Sequence, residues 1–314
     1  MSDLSSQPRT ADNRPPLTAV KLEADGKTLE TSTHRLGYLE PSFLDEGVSA
    51  LRARYDANGY VWIKGLLDPD EVRGFRGWVF GHLAVSGLLE DGTDPVDGIS
   101  VTGDYDAKLA ERRLMSIVKS ARFEGFCAQP RLTSFMDQFI GELSYLHKRK
   151  IMRYTRPKTP VATAAHYDLV YLRGGTSDLV TAWIPVGDIS IDEGGLLYLR
   201  DSHALGMQME ADFAEKNKSL PPEERISAFN QNMTSGGWVS KDLPDMANKF
   251  DTQWLVADYE AGDVVLHSPY FIHASTNNKS AAGRMRLSTD IRFQSVDDKI
   301  DARWSNHWSL DDKL

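Results

Sequence analysis

The sequence predicts a mainly β fold with packed helices: a jelly-roll core of many short strands flanked by N-terminal helices. Three observations carry this. From about residue 145 onward, short apolar or alternating runs follow one another with turn residues between most of them. Ahead of them, apolar residues recur at helical spacing. The composition, 41% hydrophobic with seven Trp, eleven Tyr and twelve Phe in 314 residues, suffices for a sizeable core in one large domain or two ordinary ones.

In chain order, residues 1–33 are polar and rich in Ser, Thr and Pro, and read as a flexible arm or a strap over the domain. Residues 34–314 read as a single domain with its jelly-roll core at about 145–295. "LDEGVSALRARYDAN" (44–58) sets Leu44, Val48, Leu51 and Tyr55 in a helical stripe, and Asn58-Gly59 supplies a left-handed stop. "YVWIKGLL" is a branched and aromatic strand. "DPDEVRGFRGWVFGHL" has helix-start chemistry, with Asp68 as cap, Pro69 in the first turn and Glu71 behind it. Further helical stretches lie near 106–119 and 130–142. The strand candidates are "YLHKRKIMRY", "AAHYDLVYL", "LVTAWIPVGD", "GLLYLRDSH", "TQWLVADYEAGDVVLHS", "YFIHAS" and "RMRLSTDIRFQS". Residues 207–250, with Phe229 and Trp238, are too long for a hairpin loop and are expected to be an insertion that serves as a lid or covers a sheet.

The net charge of −9, with interspersed signs, argues against a general nucleic-acid binder. One cysteine, Cys127, excludes an intrachain disulfide and a Cys-based zinc site. The N-terminus lacks the apolar stretch of a secretory signal, and no apolar run approaches the roughly 20 residues of a membrane span. A soluble, cytoplasmic protein is expected; the C-terminal Asp312-Lys313-Leu314 misses the peroxisomal address at its first position.

His166 and Asp168 stand two apart in "AAHYDLVYL". On a strand they project from one face and offer an imidazole nitrogen and a carboxylate oxygen. Two His and one carboxylate with open positions suit iron(II) oxygenases. His203, His267 and His273 are the candidates for the second imidazole, and spacing does not choose among them. Such chemistry draws on 2-oxoglutarate, whose far carboxylate needs a fixed cation. Arg284 and Arg286 share parity in "GRMRLSTDIRF", and Ser275 and Ser288 add hydroxyl donors.

"HYD" (166–168), "AWIPVGDISIDEGGLLYLRDSH" (182–203) and "GDVVLHSPYFIHASTNNKSAAGRMRLS" (262–288) resemble the phytanoyl-CoA dioxygenase family, iron(II)/2-oxoglutarate oxygenases with a double-stranded β-helix core. "YDANGYVWIKGLLDPDEVRGFR" (55–76) resembles its N-terminal opening, so the likeness runs over about 45–295. The resemblance implies an iron site of His166, Asp168 and His273, the last from a His-x-Ser-x-x-Asn context with Asn277 or Asn278 closing it. It implies a 2-oxoglutarate anchor at Arg284, about eleven residues past that histidine, with Arg286 as the other candidate. Ser275 and Trp183 match family residues of the cosubstrate pocket. Tyr167, between the iron ligands, departs from the family's frequent Gln.

The implied cofactors are Fe(II), 2-oxoglutarate as cosubstrate and O2, with ascorbate supportive. The implied reaction oxidises an unactivated C–H bond of a small, largely apolar molecule in natural-product biosynthesis, by hydroxylation, desaturation or ring formation. Retention of Asp168 argues against halogenation. The alternatives are an acyl-CoA hydroxylase, a silent oxygenase-fold partner subunit, and a metal-dependent jelly-roll enzyme that uses no 2-oxoglutarate.

Overall fold

The computed structural model describes residues 14, 16–160, 162–234, 236–310 and 312. Residues 1–13 and 15 of the expected arm, and Lys313 and Leu314, lie outside the described residues. The remainder of that arm is packed rather than free. Strands β1 (Glu23–Ala24) and β2 (Lys27–Thr28) form a small hairpin, and Leu17, Leu22, Ala24 and Leu29 are buried against the core. Four apolar side chains in a polar stretch suffice to hold it down.

Strands β3 (Leu36–Tyr38) and β4 (Pro41–Phe43) precede α1 (Val48–Asn58), β5 (Tyr60–Lys64) and α2 (Pro69–Leu83). The punctuation is the one expected: Gly59 is left-handed at φ 78°, and the Asp68 carboxylate accepts from the Asp70 and Glu71 amides at 2.8 and 3.2 Å. Helices α3 (Ala107–Val118), α4 (Ala121–Cys127) and α5 (Pro130–Ile140) follow. The short α4, capped by Ser120, has too few residues to show a periodic stripe, so the sequence gives no sign of it.

Then come β6 (Ser144–Leu146), β7 (Ile151–Thr155), α6 (Leu169–Leu172), β8 (Val180–Pro185) and β9 (Leu196–Leu199). An excursion holds α7 (Ser202–Asn217), α8 (Pro222–Arg225) and α9 (Leu243–Lys249), before β10 (Trp254–Val256), β11 (Val264–His267), β12 (His273–Ser275) and β13 (Arg286–Ser295). "YLHKRKIMRY" is thus two strands, and the expected 207–250 insertion extends back to the start of α7.

Apart from the β1-β2 hairpin, the described strands build two sheets: β12-β9-β10-β3, and β4-β5-β11-β8-β13-β6 with β7 also paired to β13. Side chains of both meet in one aromatic cluster, where the Tyr198 ring stacks on Tyr60 at 6.0 Å and on Phe271 at 5.4 Å. The ladder registers sort the large sheet into two faces. Val61, Ile63, Ala182, Ile184, Leu266, Leu287, Ile291 and Phe293 share an apolar cluster with helix residues such as Leu51, Val79 and Met136. The opposite, inward face carries Tyr60, His267, Thr181 and Arg292 in one row and Trp62, Val265, Trp183 and Asp290 in the next. Arg153 pairs with Ser288 and Thr155 with Arg286 further along.

Arg76 of α2 joins three segments to this sheet. Its buried guanidinium donates to the carbonyls of Val96, Asp97, Val186 and Met285 at 2.7–3.1 Å, which offsets part of its desolvation. Gly98 and Gly187 make room: a Cβ at either would lie 2.6 Å from an Arg76 atom.

Candidate metal centre

His166 and His273 meet as a backbone pair. The His166 amide donates to the His273 carbonyl at 3.0 Å and the His273 amide to the His166 carbonyl at 2.9 Å. Residues paired this way hold their side chains on one face, and the two ring centroids are 4.3 Å apart. Asp168 arrives differently from the expectation. "AAHYDLVYL" is not a strand: after the bridge at Ala165 and His166 the chain turns helical, with Asp168 at φ −64°, ψ −31° ahead of α6. The aspartate shares the histidine's direction because the backbone curls there, not because strand parity aligns them.

Among the described residues, one ligand atom from each of His166, Asp168 and His273 lies within 4.8 Å of the others. Asp168 Oδ1 is 3.8 Å from Nε2 of both histidines. Each Nδ1 is occupied by a backbone carbonyl two residues back, Ala164 for His166 (2.8 Å) and Phe271 for His273 (2.9 Å). With the proton on Nδ1, the Nε2 lone pairs are free for a metal. Burial, reinforced by His166 and His267 beside it, holds the His273 imidazole well below its ordinary value; burial also lowers His166. Both are therefore neutral, the form that ligates.

The second carboxylate oxygen is held from behind. Asp168 Oδ2 accepts from Thr181 Oγ1 at 2.5 Å and from Arg292 Nη2 at 3.0 Å. Burial pushes the Asp168 carboxyl up, but the Arg292 charge and the His267 and His273 imidazoles outweigh it and hold it well below the usual carboxylate range. His267, a sequence candidate for the second ligand, instead stands behind Asp168. Its Nε2 is 3.5 Å from Oδ2 and its Nδ1 3.3 Å from the Tyr198 hydroxyl. His203 lies on α7, stacked on Tyr270, away from the cluster. Thr181 and Arg292 escaped the sequence reading. Their signal was available, since both fall on the same inward parity as Trp183 and Arg286 in their strands.

The two arginines separate. Arg284, the preferred anchor, does not reach the pocket: its guanidinium pairs with the Glu193 carboxylate at 2.8 and 3.2 Å and its side chain is 37% exposed. It lies ahead of β13, just after left-handed Gly283, and bridges Ile99. Shared parity holds only inside one extended run, and that run begins at Arg286. Arg286 is buried, donating to the Gly194 carbonyl at 2.6 Å and the Ser288 hydroxyl at 3.1 Å, and burial lowers its pKa to about 10. Asn278 fixes this corner by donating to the carbonyls of Thr155 and Arg284 at 2.9 and 2.8 Å.

Among the described residues, four buried polar atoms on this inner face lack a hydrogen-bond partner: Arg286 Nε, Trp183 Nε1, Arg292 Nε and His267 Nε2. Such orphans are costly unless a ligand meets them. Trp183 packs edge-on to Tyr259 at 4.7 Å between the sheets and does not line the cavities described next.

A narrow pocket of about 30 Å³ is lined by His166, Asp168, His273, Arg153, Thr163, Arg286 and Asp290, among others. Arg153, Thr163 and Arg286 also line a cleft of about 440 Å³ with Ser275, Leu114, Met152, Trp308 and Leu310. Ser275 Oγ accepts from the Thr163 amide at 2.8 Å. Among the described residues, none of 207–250 lines either space. The excursion is stitched beside the triad instead, where Ala165 pairs with Ser240, and Tyr167 turns outward to donate to Glu210 at 2.9 Å. The outer wall of the cleft comes from α3 and the C-terminal segment.

A family model for phytanoyl-CoA dioxygenase (PhyH) matches residues 55–286. Two 1-deoxypentalenic acid 11-beta-hydroxylases, from Streptomyces arenae and Streptomyces exfoliatus, are each 27% identical, covering 78% and 82% of this chain and 80% and 84% of their own. The peroxisomal phytanoyl-CoA dioxygenase of Rattus norvegicus is 22% identical over 81% of this chain and 72% of its own. Among solved structures, the carbocyclase SnoK from nogalamycin biosynthesis superposes with TM-score 0.53 at 18% identity over 83% of this chain and 89% of its own. The epimerase SnoN, crystallised with Fe3+, alpha-ketoglutarate and nogalamycin RO, gives 0.52 at 18% identity over 82% and 86%.

Proposed function

Because the chain belongs to the phytanoyl-CoA dioxygenase (PhyH) family of non-haem iron, 2-oxoglutarate-dependent oxygenases, we propose that His166, Asp168 and His273 hold its iron(II) and that Arg286, rather than Arg284, anchors 2-oxoglutarate. The single observation that carries the reading is the convergence of two free Nε2 atoms and one carboxylate oxygen on a common point, with a buried guanidinium lining the same pocket. The donor set suits a ferrous ion, and the orphaned Arg286 Nε suits a cosubstrate carboxylate.

When bound, iron(II) and 2-oxoglutarate couple oxidative decarboxylation of the keto acid by O2 to oxidation of a substrate C–H bond. The protein's part is placement. Ala164 and Phe271 carbonyls fix the two imidazoles, and Thr181 and Arg292 fix the carboxylate so that one oxygen faces the metal point. Arg286, steadied by the Gly194 carbonyl and Ser288, presents charge to the cosubstrate, with Ser275 on the facing sheet. The 440 Å³ cleft, within the usual range for small-ligand sites, offers Leu114, Met152, Trp308 and Leu310 to an apolar skeleton. The substrate is a small, largely apolar product of specialised metabolism, a reading supported by the 1-deoxypentalenic acid hydroxylases among the relatives.

Succinate formation from 2-oxoglutarate with Fe(II), ascorbate and O2 tests the enzyme. Wild-type turnover that vanishes in His166→Ala, Asp168→Ala and His273→Ala supports it. Turnover that survives His273→Ala rules out the ligand set.

A further inference from the structure

The guanidinium of Arg153 has no hydrogen bond or ion pair to any described residue, although it stands where the metal pocket opens into the larger cleft and lines both. The other arginines around these spaces are committed. Arg156 donates to Ser100 Oγ and the Val101 carbonyl at 2.8 and 2.7 Å and lies 4.4 Å over the Tyr105 ring. Arg286 is held by Gly194 and Ser288, and Arg292 by Asp168. Arg153 projects from β7 on the inward face, opposite Ser288, and its charge is felt at His166 and Arg286. A cation on a strand, aimed at a mostly apolar cleft and left unpaired beside a reaction centre, is arranged to receive an anion from outside.

We propose that Arg153 anchors the substrate, and that this substrate carries one carboxylate on an otherwise apolar skeleton. The proposal deepens the oxygenase reading and rests on it for the identity of the reaction centre. A planar guanidinium takes a carboxylate through two parallel N–H···O bonds, which orients the ligand as well as holding it. With its acid group at Arg153, the skeleton lies along Leu114, Met152 and Trp308, and one end faces His166 and His273. A coenzyme A thioester fits less well, because its several phosphates would share the one uncommitted cation among the described residues that line the cleft.

The test measures binding by calorimetry to the Fe(II)- and 2-oxoglutarate-loaded protein under nitrogen. The probes are cyclohexanecarboxylate, adamantane-1-carboxylate and octanoate, each against its methyl ester, with octanoyl-CoA as a further arm. At least one acid is expected to bind about tenfold or more tighter than its ester, as a charge-assisted pair requires. Arg153→Gln removes that preference while the affinities for the ester and for 2-oxoglutarate are retained, and Arg153→Lys restores part of it. Because Arg153 is exposed and its guanidinium bonds to no described residue, its replacement leaves the melting temperature in place, which checks folding. The proposal is overturned if no acid is preferred over its ester, if the preference survives Arg153→Gln, or if octanoyl-CoA outbinds octanoate. Loss of 2-oxoglutarate binding in Arg153→Gln also overturns it, because Arg153 then serves the cosubstrate. Repeating the acid and ester titrations on metal-free protein separates the two readings: should wild type fail to bind 2-oxoglutarate, the oxygenase site falls while the acid preference still judges Arg153.

Discussion

The two faces of the large sheet are built from the same strands and answer to different demands. On the face toward the helices, Leu287, Ile291 and Phe293 of β13 are fully buried among aliphatic and aromatic neighbours. One residue over, on the inward face, stand Arg286, Ser288, Asp290 and Arg292. A single ten-residue strand therefore carries the core with one set of side chains and the chemistry with the other. The apolar face supplies stability through area removed from water. The inward face combines two demands: Trp62, Trp183 and Val265 join a second buried apolar cluster, while its buried charges are each paired, as Arg292 is with Asp168, or wait for a ligand.

Asp168→Ala breaks the contrast most severely. It removes the proposed metal donor and leaves Arg292 buried without its anion, so iron content and succinate formation are expected to fall to background. The apo protein loses about 3–5 kcal/mol in denaturant titrations. On the other face, Leu287→Ala costs about 2–5 kcal/mol of stability by the same measurement, with 2-oxoglutarate affinity retained in the folded fraction. Thr181→Val keeps shape but removes a hydrogen bond to Asp168 Oδ2; metal affinity should drop about 10- to 100-fold in a chelator competition, with little change in fold.

Arg286→Gln is expected to raise the KM for 2-oxoglutarate roughly 10- to 100-fold, as loss of a charged hydrogen-bond donor does. Arg284→Gln breaks only a partly exposed pair with Glu193, and that KM should stay within about twofold of wild type. The reverse ranking of these two arginines would return the anchor to Arg284.

The same contrast explains what could be read from the chain. Elements whose signal is local were legible: the Asp68-Pro69 start of α2, the Gly59 stop, and most of the strand runs. The triad was legible because His166, Asp168 and His273 are chemically distinctive and stand in ordered motifs, even though the local conformation at Asp168 was misread. Contributions that depend on where a strand begins were not. Arg284 and Arg286 differ by one turn of chain that Gly283 and Asn278 set, and no periodicity reports it. The cleft wall was also hidden, since Leu114, Trp308 and Leu310 reach it only through tertiary packing. Among the described residues, none of the long 207–250 segment borders either cavity.

Arg76 has a practical corollary. A helix near the beginning of the chain grips the peptide just ahead of Arg286 through the Met285 carbonyl, and the same side chain holds the turn after β8 through Val186. The barrel is for that reason not a separable module: trimming the chain to its strands would remove the keystone from the cosubstrate end. Shortened or fused versions of this enzyme should keep α2 intact, and random mutagenesis should find position 76 among the least forgiving sites remote from the metal.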